Sequence, residues 1–346
     1  MSAVRVPGPR PGSRAGRRRP VRPGDGGAIA AGPRGAGSRG RVKRTWMDAP
    51  DGRFAPSPTG TLHLGNLRTA LLAWLFARSA DARFLVRMED LDSGRVRERF
   101  YDEQLGDLAA LGIDWDGPVV RQSDRLDLYA EAIETLRTDG LIYECWCTRA
   151  EIREAASAPH GDLPEGSYPG TCLRLSEAER TARRASGRPP ALRVRADAAA
   201  VEFVDRVAGP VSGVVDDFVV RRNDGAYAYN LAVVVDDADQ GVREVVRGAD
   251  LLDSTPRQLW LGARLGLPAP AHAHVPLMLG PDGARLAKRH GAVTLADRAA
   301  LGEDADAVRA MLAASVGLAA PGEAVSAADL VARFSPALLT ATPEAA

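Results

Sequence analysis

The 346-residue chain has no apolar run of about 18 residues, the length a membrane-spanning helix needs. No membrane span is therefore expected. It has three cysteines, few and odd in number. That argues against a disulfide framework and for a reducing, cytoplasmic setting. Net charge is missing as well, since 45 basic residues balance 45 acidic ones. The balance is not uniform along the chain. Residues 1–46 hold 12 Arg/Lys against one Asp, leaving 33 basic and 44 acidic residues elsewhere, a net of −11. An acidic body excludes a general nucleic-acid-binding field, so an RNA contact would have to be a local basic patch.

Residues 1–45 are rich in Arg, Gly and Pro and have almost no large apolar side chains. They cannot bury enough surface to offset the entropy of ordering, and disorder is expected. Residues 35–40 (GAGSRG) match the dinucleotide fingerprint literally, but no strand precedes them and no helix follows. Arg17, Arg18 and Arg19 lack the apolar stretch an export signal requires. The tail is expected to be dispensable, with Met47 as the true start.

The stretch that organises the rest is 53–66, RFAPSPTGTLHLGN. A short apolar segment passes through Pro56, Ser57, Pro58 and Gly60 into an apolar run (67–77) that reads as a buried helix. Strand, tight polar loop and helix aim free backbone N–H groups and a positive helix end at a phosphate. His63 stands two residues before Gly65, a glycine that would admit a ligand close to the backbone. No Gly-Lys-Ser/Thr follows, so this is not a Walker loop.

A strand over 82–88, an acidic turn (Glu89, Asp90, Asp92), a helix over 95–111 and a second over 123–138 capped by Ser123 come next. Strands alternating with helices predict a parallel α/β sheet with ligands at the carboxyl ends of its strands, where Glu89 lies. The pattern breaks at Cys145 and Cys147. A segment with little core of its own follows, carrying His160, Tyr168 and Cys172. Such a region suits a metal staple. Three thiolates leave one place in a four-ligand zinc site, and on ligand chemistry alone His160 takes it. Residues 173–185 read as a basic surface helix.

Strands are expected at 191–195 and 214–222, a hairpin turn at Asn223-Asp224-Gly225, and a strand at 242–246. Ser254 with Pro256 marks a helix start. Arg247, at a strand end beside a glycine, could hold a carboxylate bidentately. A glycine-containing loop at 278–291 clusters Arg285, Lys288 and Arg289, and two amphipathic helical stretches near 305–316 and 327–334 close the chain.

Residues 53–66 closely resemble the ATP-binding signature of class I glutamyl-tRNA synthetases. RMEDLD (87–92), YNLAVVVDD (229–237) and VRGADLLDSTPRQ (246–258) resemble further motifs of that family. RLAKR (285–289) resembles its Lys-Met-Ser-Lys-Ser loop in degenerate form, with Arg285, Ala287 and Arg289 altered and Lys288 retained. The resemblance runs from about residue 50 to 300. It implies a class I Rossmann-like parallel sheet in two halves (47–143 and 201–300), a zinc-containing, RNA-facing insertion (144–200) and C-terminal helices (301–346). It implies ATP and Mg2+ at His63, Gly65, Asn66 and Lys288, with His63 and Lys288 catalytic. L-glutamate would be held by Arg53, Phe54, Ala55, Pro56, Ser57, Glu89, Tyr229 and Arg247. Arg53 is expected on the side-chain carboxylate, Glu89 on the amino group and Arg247 on the α-carboxylate. The family pattern Cys-x-Cys, Tyr-x3-Cys implies Tyr168, not His160, as the fourth ligand of one structural Zn2+ beside Cys145, Cys147 and Cys172. Only about 45 residues follow residue 300, too few for the family's helical anticodon-binding region. Members without that region imply tRNA-independent glutamate activation and transfer to queuosine in the anticodon of tRNA(Asp), here by an expected monomer. Charging of a tRNA 3′ end, a non-catalytic RNA-binding role and glutamylation of another acceptor remain as alternatives.

Overall fold

The computed structural model describes residues 49–148, 150–152, 167–280, 282–284, 286, 290–291 and 293–340. The tail 1–46, His160, Arg285, Ala287, Lys288 and Arg289 lie outside the described residues.

The chain opens with β1 (Gly52–Phe54), α1 (Leu64–Ser79), β2 (Phe84–Met88), α2 (Arg99–Ala110), β3 (Val120–Arg121) and α3 (Leu126–Thr138). It continues with β4 (Ile142–Cys145), α4 (Glu177–Ala185), β5 (Ala191–Val194), β6 (Ala199–Asp205), β7 (Gly209–Val215) and β8 (Val219–Arg221). Then come α5 (Tyr229–Asp239), β9 (Glu244–Gly248), α6 (Thr255–Arg264) and β10 (Ala271–Val275). Four helices end it: α7 (Leu295–Ala300), α8 (Ala305–Ala314), α9 (Ala327–Arg333) and α10 (Ala337–Thr340).

Five strands form one sheet in the order β10-β9-β1-β2-β3, and every pairing in it is parallel. The expected parallel α/β sheet is therefore present. Its middle strand is the one that feeds the 53–66 loop, so that loop emerges at the sheet's carboxyl edge. α1 is apolar on nearly all sides because it is enclosed. Leu67, Leu71, Leu72 and Leu75 are at most 1% exposed, between the sheet and α8 and α9. A second core gathers Tyr129 of α3, Phe203 of β6, Val220 of β8, Leu231 of α5 and Trp260 of α6. The antiparallel sheet β4-β5-β8 contributes Val194 and Val220 to it, and the β6–β7 hairpin contributes Val201, Phe203 and Val215.

Four local expectations change. Ser123 does not cap α3. It sits in a 3-10 turn (Gln122–Arg125), where its backbone N–H and hydroxyl both donate to Asp90 at 2.7 and 2.6 Å. The helix expected from 95 begins at Arg99. The strand expected over 214–222 is two strands in different sheets, β7 and β8, separated at Asp216-Asp217-Phe218. Both carboxylates there have non-ladder partners, Asp216 with Arg257 and Tyr168 and Asp217 with Tyr143 and Ala196. Ser254 stands at the N-cap of α6, but its hydroxyl donates to Leu251 O at 2.7 Å rather than capping. The valine-rich run 233–235 lies inside α5 despite its strand propensity, because burial against α3 and α6 decides the matter.

Candidate active site and metal centre

At the carboxyl edge of the parallel sheet lies a cavity of about 490 Å³. Its walls include Arg53, Phe54, Ala55, Pro56 and Ser57 from the loop, His63, Gly65 and Asn66 from the start of α1, then Glu89, Tyr229 and Arg247. Eleven of the twelve small-molecule contact residues expected from sequence thus share one cavity, and the twelfth, Lys288, is outside the described residues.

The start of α1 is a capping box. His63 Nδ1 accepts from the Asn66 N–H at 3.1 Å, and the Asn66 side-chain oxygen accepts from the His63 N–H at 3.2 Å. An accepting Nδ1 leaves the proton of the neutral ring on Nε2. Gly65 is required by space, since a Cβ there would meet the His63 ring at 3.0 Å and Met278 at 3.6 Å. The loop is pinned from below. Gln104 donates to the carbonyls of Ser57 and Gly60 at 3.0 and 2.7 Å, and Glu89 N–H donates to Pro56 O at 2.9 Å. Leu64 N–H donates to Val293 O at 2.7 Å, so the segment after the basic loop is stitched to the head of α1.

Two buried arginines dominate the far wall. Arg53 donates through Nε and Nη2 to Asp237 at 3.0 and 3.3 Å and through Nη1 to Val246 O at 3.4 Å. Of its five N–H groups two have no partner among the described residues, one on each terminal nitrogen, and these suit a carboxylate end-on. Arg247 is more fully engaged. It donates to His274 at 2.9 Å, Gln258 at 2.7 Å and Thr255 at 2.8 Å, and at longer range to Leu251 O at 3.3 Å and Tyr229 at 3.4 Å. A ligand carboxylate would meet it where the long Tyr229 bond gives way.

Asp237 is the hinge of the charge network, because Arg87 also donates to it at 2.8 Å. Burial opposes its ionisation, but the two guanidiniums hold its carboxyl down to about 2. Glu89 stands 3.6 Å from Arg87 and faces the cavity. Burial pushes its carboxyl up to about 7 against the pull of Arg87 and Arg53. A group poised there changes charge readily when a cation arrives. Behind Arg247, His274 Nδ1–H donates to Asp205 at 2.7 Å while Nε2 accepts from the arginine. Asp237, Gln258, Asp205 and His274 were not singled out in the sequence. The adjacent acids Asp236 and Asp237 in an otherwise apolar helix were the available signal for the first. Nothing local marks the others.

The second site lies in the insertion. The Sγ atoms of Cys145, Cys147 and Cys172 lie within 4.8 Å of one another. Tyr168 Oη is 3.5 Å from Cys145 and from Cys147, and Cys147 is 3.5 Å from Cys172. A tetrahedral zinc with bonds of about 2.3 Å to sulfur has ligand–ligand edges of about 3.8 Å, so these four atoms fit such an ion. Outer contacts orient them. The Cys172 N–H donates to Tyr168 Oη at 2.8 Å, and the Trp146 N–H to Cys172 Sγ at 3.4 Å. The Arg193 guanidinium lies 3.8 Å over the Tyr168 ring and offsets negative charge. Hydrogen bonds from Cys147 and Cys172 hold the Cys145 thiol far below its ordinary range. The basic helix α4 is fully exposed on its outer side, but Arg184 is paired with Glu144 and Glu177, and Arg180 donates to backbone carbonyls.

A parallel sheet with a capped helix start at its carboxyl edge, a buried charge network and a cysteine-bearing insertion define a class I aminoacyl-tRNA synthetase catalytic core. Residues 51–325 match the family described as tRNA synthetases class I (E and Q), catalytic domain, and the chain belongs to that family. It is a ligase of the aminoacyl-tRNA synthetase type. Within the family its relatives are glutamyl-Q tRNA(Asp) synthetases. The one from Nocardia farcinica is 60% identical over 292 residues, covering 84% of this chain and 91% of that protein. The one from Symbiobacterium thermophilum is 51% identical over 304 residues, covering 84% and 94%. Among solved structures, the glutamate tRNA ligase of Elizabethkingia meningosepticum in complex with its amino acid superposes with a TM-score of 0.73 at 28% identity. That match covers 84% of this chain and 66% of the ligase, so the chain spans about two thirds of it. Among the described residues, no helix is long and apolar enough to cross a membrane.

Proposed function

We propose that the chain activates L-glutamate with ATP, without needing tRNA, and transfers it to the queuosine base in the anticodon of tRNA(Asp). The observation that carries this reading is the pair of buried arginines, Arg53 and Arg247, facing Glu89 across one cavity beside a helix start. Two cationic groups and one carboxylate are the complement of a dicarboxylic amino acid. The names of the relatives supply the acceptor.

In this reading the spare N–H pair of Arg53 takes the side-chain carboxylate, Arg247 and Tyr229 take the α-carboxylate, and Glu89 takes the ammonium. The glutamate α-carboxylate attacks the α-phosphorus of ATP in line and pyrophosphate leaves. The protein's part is positioning and stabilisation of developing phosphate charge. His63, through Nε2–H, and the Gly65 N–H at the head of α1 supply that stabilisation. Lys288 adds a point charge. Of 45 basic residues only Lys43 and Lys288 are lysine, so its retention in an arginine-rich chain supports a specific role. Mg2+ enters with the triphosphate, and Zn2+ on Cys145, Cys147, Tyr168 and Cys172 holds the insertion in shape.

The test is ATP–pyrophosphate exchange with glutamate, with and without tRNA, followed by labelled glutamate transfer to queuosine-containing and queuosine-free tRNA(Asp). Exchange without tRNA and label only on the modified RNA is the expected result. Exchange that depends on tRNA(Glu), with label at the 3′ end, would replace this reading with a minimal glutamyl-tRNA synthetase.

A further inference from the structure

A second cavity, of about 270 Å³, lies behind the glutamate-facing wall between α5, α6 and the segment entering β10. Val233, Val242, Leu259, Leu267 and Pro270 make it largely apolar. Three polar side chains reach its lining: Asp237, Gln258 and His272. The first two are spoken for. Asp237 is held by Arg53 and Arg87, while Gln258 accepts from Arg247 at 2.7 Å and donates to Asn230 at 3.0 Å. His272 differs. It is 4% exposed, and its ring nitrogens have no hydrogen-bond partner among the described residues. The ring is held only by an edge contact with Phe203 and a parallel stack on His274. Burial, with the nearby Arg247 charge, pushes it down to about 3, so it is a neutral imidazole near pH 7 and can donate or accept.

An imidazole that lacks a protein partner among the described residues and opens onto an apolar space offers that space one hydrogen bond. The two polar groups beside it brace the two arginines of the first cavity. We propose that the second cavity binds a small, neutral, largely apolar molecule with one hydrogen-bonding group, of the indole or phenol class. That group bonds to His272, and occupancy is transmitted to Arg53 and Arg247 through Asp237 and Gln258. The transmission rests on the glutamate reading above, whereas the binding does not.

The probe is indole, titrated calorimetrically into the full chain. One saturable site is expected. His272→Phe keeps the ring shape but loses the partner, and affinity should fall about fivefold or more. Ala263→Leu fills the space from the half-buried side of α6 and should abolish binding. At saturating indole the glutamate KM in pyrophosphate exchange should move about threefold or more, with the ATP KM unchanged. Absence of saturable binding, or binding that survives Ala263→Leu, overturns the assignment. Binding with an unmoved glutamate KM in an active enzyme overturns the transmission. Indole binding at His272 in a chain that fails to activate glutamate supports the cavity and counts against the proposed function instead, so the two failures are distinguishable.

Discussion

The catalytic sheet and the insertion solve the same problem by opposite means. Around the 490 Å³ cavity, polar groups are held by burial. α1 alone buries eleven of its residues, and inside that frame Asp237 fixes Arg53 and Arg87 while His274, Gln258 and Thr255 fix Arg247. In the insertion the local core is Tyr143, Cys145, Trp146, Tyr168 and Cys172, and two of the four candidate metal ligands are its smallest members. A cluster that small cannot offset the entropy of ordering the segment, so in the proposed reading a metal held by the sulfurs supplies the rest. One region is a core that carries a site, and the other is a site that takes the place of a core.

The largest expected effect breaks this contrast at the metal. Bound structural zinc contributes about 10–16 kcal/mol of folding free energy in small domains. Cys172→Ser should reduce bound zinc from one equivalent to none by elemental analysis. It should also expose the segment between β4 and α4 to protease while the parallel-sheet core still melts cooperatively. A metal-free Cys172→Ser chain with a protease-resistant insertion would show that the contrast is false.

Next in size is Asp237→Ala. It strips the shared partner from two buried guanidiniums, and leaving such charges unpaired costs about 3–5 kcal/mol. Urea unfolding should show that loss with zinc content unchanged. Arg53→Ala should cost less stability, because Asp237 keeps Arg87 at 2.8 Å. It should nevertheless raise the glutamate KM about a hundredfold, the scale of a lost charged, paired hydrogen bond. A KM within threefold of the unaltered chain would remove Arg53 from the substrate site.

The smallest effect is the pH response of Glu89. Its folded value of about 7 stands above the ordinary 4.5, so the folded chain binds the proton more tightly than the unfolded one. Protonation then favours folding, and this contribution is present below about 4.5 and lost as pH rises to about 7. Glu89→Gln should flatten that slope in the melting temperature. An ammonium partner favours the ionised form, so the glutamate KM should fall as pH rises through 7 and become flat in Glu89→Gln. An unchanged profile in that variant would place the titrating group elsewhere.

Local chemistry explains what could be read in advance. The loop 53–66 and the strand ending at Glu89 are contiguous, so backbone direction alone puts their side chains near a strand end or a turn, whereas Tyr168 was singled out by the family pattern and local ligand chemistry pointed to His160. The errors were also local. Ser123 and Ser254 are good capping residues that found other acceptors: Asp90, available only when distant segments meet, and the Leu251 carbonyl three residues back in the preceding 3-10 turn. The run 214–222 is strand-like apart from Asp216 and Asp217, and its break there comes from partners on α6, β4 and the segment that carries Tyr168.

By itself the sequence determined the parallel α/β order and the motif-bearing loop at the head of α1, because periodicity and short spacings are properties of neighbouring residues, while the candidate ligands of both sites came from the resemblance of its motifs to the glutamyl-tRNA synthetase family. The tertiary structure alone decided that Asp237 clamps Arg53 and Arg87 together. It also decided that Asp205 and His274 stand behind Arg247 and that His272 faces a second cavity. Those relations join α5 to β1 and β2, and β6 to β10, across separations of up to 184 residues. A buried charge takes whatever partner the packed sheet brings within reach, and no local pattern encodes that partner.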